Sequence, residues 1–368
     1  MSEIAFLDVG ATYRELKGEI DAAVVRVLSS GWYIGGPEVE AFEMEFARYC
    51  EAEHCVGVGN GLDALHLTLR ALGIGVGDEV IVAGNGFIAT LLAVSMAGAT
   101  PILAEPDPAT HNLDPAGIEA AITPHTRLIL PTHLYGQPAD IDSIHDIARR
   151  HGLRVIEDAA QAHGARYNGR RVGAHSDAVC WSFYPAKNLG AAGDGGAVTT
   201  DDAELAARIR ELGNYGSKTK YVHQVRGFNS RLDPLQAAIL REKLKVLDEW
   251  NGRRSSIAAL YTHQLANCGL TLPAVPGWAE PVWHLYVVQS DRRDALAAFL
   301  AERGIGTLVH YPIPPHLQGA YRDLGDAPGA FPIAERLAQQ VLSLPMGPHL
   351  ALAEAERVAE AVLEFHSR

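Results

Sequence analysis

Lys187 lies in the run Cys180-Trp181-Ser182-Phe183-Tyr184-Pro185-Ala186-Lys187-Asn188-Leu189-Gly190, followed by Gly193-Asp194-Gly195-Gly196. The apolar stretch ends at Ser182, and the lysine occupies the turn of small residues that follows. A lysine amine partly removed from water loses its proton more readily, and the free amine forms a Schiff base with a carbonyl. Taken alone, a loop lysine is most often a solvated charge. Asp158 closes a second apolar run, Val155-Ile156-Glu157-Asp158-Ala159-Ala160-Gln161. Ligands of open α/β sheets collect beyond the carboxyl ends of strands, and a carboxylate buried there requires a cation or a hydrogen-bond donor. A helix N-cap is the structural alternative for this aspartate. The third segment, Gly57-Val58-Gly59-Asn60-Gly61-Leu62-Asp63-Ala64-Leu65, is a glycine-rich turn between a strand and a helix. Its backbone N–H groups and the helix N-terminus suit an anion. Leu62 stands where G-x-G-x-x-G requires its third glycine, so the dinucleotide fingerprint is not met, and a plain structural turn is the alternative.

An amine, a carboxylate and a phosphate cradle at strand ends together suit pyridoxal 5′-phosphate (PLP): its aldehyde needs a lysine, its ring nitrogen an acid and its phosphate donors.

These residues need elements to hold them. Strand-like runs, short and continuously apolar, occur at Cys55–Val58, Glu79–Val82, Pro101–Leu103, Leu128–Leu130, Leu153–Ile156, Ala178–Phe183 and Ala197–Thr199. Helical stripes lie between several of them, such as Leu62, Leu65, Leu69, Leu72 and Ile141, Ile144, Ile147. The alternation predicts an α/β fold with a large, mostly parallel sheet buried on both faces. From Asp233, with Pro234 in a first-turn position, one long helix is expected. Beyond Leu272, Val282–Val288 and Gly306–His310 read as strands, and Arg292–Arg303 and Ala351–Phe365 as helices. We expect an N-terminal segment (1–30), with a helix at Thr12–Leu28, packing on a small C-terminal α/β domain (250–368), and a large cofactor-binding domain between them (31–249).

The 368 residues, 48% apolar and 20% charged, exclude a disordered chain. A net charge of -13 argues against a nucleic-acid partner. Cys50, Cys55, Cys180 and Cys268 form no C-x-x-C pair and no disulfide framework, which fits a reducing cytoplasm. No uninterrupted apolar run reaches membrane-spanning length and no basic n-region opens the chain, so neither a membrane segment nor a signal peptide is expected.

The ordered motifs resemble the DegT/DnrJ/StrS family of sugar aminotransferases, within PLP fold type I (the aspartate-aminotransferase fold). They are Phe6-Leu7-Asp8, Ser30-Gly31-Trp32-Tyr33-Ile34-Gly35-Gly36, Gly59-Asn60-Gly61-Leu62-Asp63-Ala64-Leu65, His133-Leu134-Tyr135-Gly136-Gln137, the Asp158 and Lys187 runs, Asn229-Ser230-Arg231-Leu232-Asp233, His310-Tyr311-Pro312 and Leu342-Ser343-Leu344-Pro345. The resemblance implies that Lys187 holds PLP through a Schiff base and shuttles the proton. It pairs Asp158 with the pyridine nitrogen and sets Gln161 near the ring hydroxyl. Gly61, Leu62 and Ser182 would bind the phosphate, and Phe87 would stack on the ring. It further implies that Asn229 reaches the phosphate of a neighbouring subunit, in a homodimer with shared sites. The Gly86 of Ala83-Gly84-Asn85-Gly86-Phe87 replaces a hydroxyl residue common in the family.

Tyr184-Pro185 and His310-Tyr311-Pro312-Ile313-Pro314-Pro315-His316 resemble the branch that acts on dTDP-3-keto-6-deoxyhexoses with L-glutamate as donor, through pyridoxamine phosphate, giving dTDP-3-amino-3,6-dideoxyhexoses. The alternative is amination at C-4 of a nucleotide-linked 4-keto sugar. Tyr184, Tyr221, His310, Tyr311 and His316 are the candidate substrate residues. Tyr221 stands with Tyr215, Lys218 and Arg226 in a loop before Asn229, where a solvated loop is the alternative. The prolines between His310 and His316 oppose a helical metal pair, and no metal is expected. Of three rivals, a sugar 3-dehydratase usually carries histidine at the position of Lys187, and a Rossmann oxidoreductase lacks its third glycine here. A non-catalytic regulator would keep the cofactor without reacting with glutamate.

Overall fold

The computed structural model describes residues 3–367. The seven expected strands form one sheet: β1 (His54–Val58), β2 (Glu79–Ala83), β3 (Thr100–Ala104), β4 (Thr126–Leu130), β5 (Arg154–Asp158), β6 (Ala178–Ser182) and β7 (Gly196–Thr200). Their order is β1-β7-β6-β5-β4-β2-β3. The pairs from β3 to β6 are parallel, whereas β7 runs antiparallel to both its neighbours. Alternate side chains serve opposite faces. Val80, Val82, Leu128, Leu130, Ile156 and Cys180 pack in one cluster with α3 (Gly61–Ala71), α4 (Ile88–Ala97) and α6 (Ala203–Gly213). On the other face Ile81, Ile129 and Val155 meet α5 (Ile141–His151), while Val179, Trp181 and Ala197 meet α2 (Pro37–Tyr49) and α7 (Pro234–Leu244). Because β7 is reversed, β1, β5 and β6 point the same way and their carboxyl ends share one rim.

Two further clusters pack on β8 (Tyr286–Gln289), which is antiparallel to β9 (Val341–Leu344): the larger, C-terminal cluster with α8 (Leu247–Leu265), α9 (Arg293–Ala301) and α11 (Leu352–His366), and a smaller one with α10 (Pro332–Gln340). Four expectations are corrected here. The long helix from Asp233 is two helices, α7 and α8, interrupted at Lys245 and Val246. The N-terminal helix breaks at Leu16, and α1 (Lys17–Ser30) packs its Ala23 and Val27 on Ala238 of α7; only residues further forward, such as Ile4, join the C-terminal cluster. The run Gly306–His310 is not a strand. It makes one bridge, Leu308 to Ser343, and the prolines that follow cannot donate to a ladder. The partner of β8 is instead Val341–Leu344. The early part of Val282–Val288 also leaves the expected strand, because Val282 and Leu285 donate their N–H groups to the carbonyls of Gly136 and Tyr135 in the large-sheet layer.

Among the described residues no helix is long and apolar enough to cross a membrane.

The rim is tightly packed at Gly196, which is paired with both Val58 and Ser182. A Cβ built there would lie 2.4 Å from the carbonyl oxygen of Asn60, a backbone atom at the head of α3. Gly196→Ala is expected to destabilise the chain by about 1–3 kcal/mol, read as a lower thermal midpoint; an unchanged midpoint would show that the rim yields.

Candidate active site

The cradle is built by the first turn of α3. Asn60 caps the helix: its Oδ1 accepts from Asp63 N at 2.8 Å and its carbonyl from Ala64 N at 3.0 Å. The N–H groups of Gly61 and Leu62 are given no protein acceptor among the described residues, as expected of a first turn left open to an anion. Gly61 is required by closeness rather than by its dihedrals, since a Cβ would fall 2.6 Å from Ser182 Cβ. The same proximity puts the Ser182 hydroxyl beside the cradle. Ser230 Oγ ties the base of the turn, accepting from Gly59 N at 2.9 Å and donating to Asp63 Oδ2 at 2.7 Å.

Asp158 ends β5, and its side chain points to the α4 face. Thr90, in the first turn of α4, donates its hydroxyl to Asp158 Oδ2 at 2.8 Å, and Ala160 N donates to Oδ1 at 3.1 Å. The neighbouring Glu157 points to the opposite face, where His133 Nε2 donates to it at 2.7 Å while His133 Nδ1 accepts from Ala139 N. The alternation of the strand thus assigns one acid to the cleft and one to the core.

Lys187 follows β6. Its amine has no hydrogen bond and no ion pair within 4 Å among the described residues. Burial pushes its pKa down to about 8, against a smaller opposing pull from the Asp158 carboxylate. Its loop is fixed from behind. Asn188 donates through Nδ2 to Asn251 Oδ1 and to the Val282 carbonyl, both at 2.9 Å, and its Oδ1 accepts from His284 Nδ1 at 3.1 Å. Lys243 of α7 donates to the Gly190 carbonyl at 2.7 Å.

Gln161 is buried. Its Oε1 accepts from Tyr135 N at 2.6 Å and its Nε2 donates to the Tyr311 hydroxyl at 3.2 Å. Burial raises the Tyr311 hydroxyl to about 12, and burial with the nearby Lys187 charge lowers His310 to about 4. His310 Nδ1 is hydrogen-bonded to Ser343 Oγ at 2.8 Å. The Phe87 ring, 53% exposed, lies 5.3 Å from that of Tyr311. Tyr184 is exposed just before Lys187.

Two expected substrate residues and one cofactor residue are not brought to this cluster within the chain. His316 has no side-chain exposure: its Nε2 bonds Glu335 Oε1 at 3.0 Å and its ring meets Phe331 edge-on. It holds the 316–335 loops together instead of facing the cleft. Tyr221, 83% exposed, tops the hairpin of Ser217–Thr219 and Val222–His223. Asn229 is exposed and accepts from Arg231 Nη2 at 2.7 Å. Gly86 is buried but loosely surrounded, the Ala83 carbonyl at 3.9 Å being the near neighbour of a built Cβ, so a side chain at this position would not clash with the backbone. Sequence patterning does not mark Thr90, Tyr135, Asn188 or Lys243 as site residues. Each acts through a contact distant in sequence, which no local spacing announces. Among the described residues no group of three His, Cys, Asp or Glu could hold a metal ion.

The residues fit PLP: an unpaired, desolvated amine, a carboxylate oriented by Thr90, and a helix N-terminus that Gly61 opens to an anion. Cofactor-free protein labelled by acetic anhydride across a pH series is expected to show Lys187 modification with a midpoint near 8. Asp158→Asn should move that midpoint lower, because it removes the charge that raises it. A midpoint near the ordinary lysine value would refute the desolvated site.

The model of the DegT/DnrJ/EryC1/StrS aminotransferase family matches residues 14–363. The chain is 59% identical to the erythromycin biosynthesis sensory transduction protein EryC1 of Saccharopolyspora erythraea, over 97% of this chain and 98% of that protein. It is 57% identical to dTDP-3-amino-3,4,6-trideoxy-alpha-D-glucose transaminase of Streptomyces venezuelae (99% and 97%). To dTDP-3-amino-3,6-dideoxy-alpha-D-galactopyranose transaminase of Aneurinibacillus thermoaerophilus it is 54% identical (98% and 99%). The solved structure of S. venezuelae DesV in complex with a ketimine intermediate superposes over all of both chains with a TM-score of 0.99 at 56% identity. The architecture is that of PLP fold type I.

Proposed function

The chain belongs to the DegT/DnrJ/EryC1/StrS aminotransferase family, and on that premise we propose that it transfers an amino group from L-glutamate to C-3 of a dTDP-3-keto-6-deoxyhexose, giving a dTDP-3-amino-3,6-dideoxyhexose. The observation that carries the aminotransferase chemistry is Lys187, whose desolvated amine has no partner among the described residues and a pKa lowered to about 8. The C-3 position is supported by the two transaminase relatives, both named for a dTDP-linked 3-amino sugar and differing at C-4.

PLP, when bound, supplies an electrophilic carbon for the incoming amine and a ring that stores the electrons released at the substrate carbon. Lys187 would hold that electrophilic carbon until an amino substrate displaces it. Its freed amine, half unprotonated near pH 8, is then positioned to take the proton from the donor's α-carbon and return it on the other side of the transfer. Asp158, oriented by Thr90 and Ala160, would keep the ring nitrogen protonated. Gln161 would meet the ring hydroxyl, and Phe87 would cover the ring. The N–H groups of Gly61 and Leu62 with the Ser182 hydroxyl would hold the phosphate. Tyr184, His310 and Tyr311 would line the approach and contact the sugar nucleotide.

Asn229 and the Tyr221 hairpin are exposed, as residues offered to a second copy would be. We therefore include in the reading a homodimer in which each subunit completes the other's site, and a cytoplasmic enzyme made of residues 31–249 and 250–368 as its large and small domains.

Incubation of the PLP-loaded protein with L-glutamate should yield 2-oxoglutarate and the pyridoxamine form. Subsequent addition of the dTDP-3-keto sugar should place nitrogen on C-3 by NMR. Lys187→Ala is expected to lose at least about 10³-fold in turnover, and Asp158→Asn about 10²-fold or more with an unchanged fold. A glutamate-inert protein that still binds PLP would mark a regulator, and nitrogen on C-4 would overturn the sugar assignment.

A further inference from the structure

Tyr135 has a conformation that its residue type disfavours. It sits in the turn Leu134–Gly136 with φ 61° and ψ 8°, left-handed for a non-glycine residue. Such outliers persist only where the surroundings over-determine them, and here every polar group of the residue is engaged. Its N–H donates to Gln161 Oε1 at 2.6 Å, its carbonyl accepts from Leu285 N at 3.2 Å, and its hydroxyl donates to the His310 carbonyl. Gly136 leaves no slack, because a Cβ there would lie 2.8 Å from His284 N and 3.0 Å from the Gln161 carbonyl. The ring packs on the smaller C-terminal cluster of Leu285, Val287, Leu337 and Val341, with His111 edge-on against it at 5.7 Å.

The circuit closes through Gln161, whose Nε2 donates to the Tyr311 hydroxyl at 3.2 Å. Two consecutive residues of the C-terminal layer are therefore gripped from the large-sheet layer at different atoms. His310 is held by its backbone through Tyr135, and Tyr311 by its side chain through Gln161. The segment carrying them makes one backbone bridge of its own, at Leu308, and runs into prolines, so no ladder holds it.

We propose that Tyr135 is a positioning residue for the sugar-nucleotide site: it fixes the His310–Tyr311 segment to Gln161, so that the substrate-facing pair and the cofactor-facing glutamine share one geometry. This rests on the function proposed above for its substrate half only. The left-handed backbone is what lets one residue send its N–H to Gln161 and its ring across to His310.

Hydrogen exchange on the full chain, with and without PLP, tests it together with steady-state kinetics. In Tyr135→Phe, which removes only the hydroxyl, amides of residues 308–313 should exchange roughly fivefold faster, the scale of one lost hydrogen bond. Residues 157–161 and the sheet should be unchanged, because the N–H to Gln161 remains. KM for the sugar nucleotide should rise about fivefold with kcat within about twofold. Tyr135→Asn, which tolerates the left-handed backbone, should loosen the same segment further. Unchanged exchange at 308–313 in both variants, or an increase spread evenly over the chain, would overturn the proposal, as would faster exchange with no change in KM. If the parent protein transfers no amino group, the proposed function fails, and the exchange measurement alone decides whether Tyr135 holds the segment.

Discussion

Lys187 loses much of its water without gaining an ion pair among the described residues. Taking an ammonium out of solvent costs several kcal/mol unless a charge or good hydrogen bonds compensate, and here compensation is incomplete: Asp158 is close enough to oppose the shift but not to form a salt bridge, so burial prevails. An amine in that condition is primed for a carbonyl, provided its loop cannot swing out to water. Much of the surrounding structure withholds that escape. Asn188 uses both of its N–H donors and its oxygen on Asn251, Val282 and His284, which fixes the residue next to the lysine and also fixes the His284 tautomer. Lys243 holds the carbonyl three residues on.

The parts that face Lys187 are set by strand alternation and by one reversed strand. On β5 the period of two sends Glu157 to His133 and Asp158 to Thr90; a shift of one residue would exchange the two acids, turning Asp158 into the core and away from Thr90. Reversing β7 leaves β1, β5 and β6 parallel, so the glycine turn, the aspartate and the lysine emerge on one rim. Gly61 and Gly196 allow the close approach of backbones that this rim demands.

The sheet was legible in the sequence because each of its strands is a short apolar run buried on two faces, and Lys187, Asp158 and Gly61 were legible because they sit where such runs end. What escaped was carried by contacts between distant segments. Gly306–His310 has the composition of a strand, but its competing partner Val341–Leu344 takes the ladder beside β8. His316 shares a motif with His310 yet turns into the interior to meet Glu335, a residue whose role no local pattern reveals. The helix break at Lys245 and Val246 carries neither glycine nor proline; it falls where the chain leaves α7 and enters the C-terminal cluster, so tertiary packing decides it.

Buried cations recur at the junction between the two layers, and their partners are revealing. Lys243 and Arg254 are both nearly inaccessible, and among the described residues neither meets a carboxylate; Arg254 donates to the carbonyls of Trp283, His284 and Met346. Burial lowers them to about 8 and about 10. For a base whose folded pKa is depressed, the unfolded chain binds more protons between the two pKa values, so each costs stability at neutral pH, and that cost lessens only as pH rises through the window. Apolar side chains of similar volume would spare that cost. What the cations supply instead is a donor aimed at carbonyls that no strand or helix satisfies: Gly190 in the lysine loop, and Trp283 and His284 in the segment that Tyr135 and Gly136 also bind. The irregular backbone beneath the site is thereby held in one arrangement, and the stability it costs is spent on keeping Lys187 and the His310–Tyr311 pair in register.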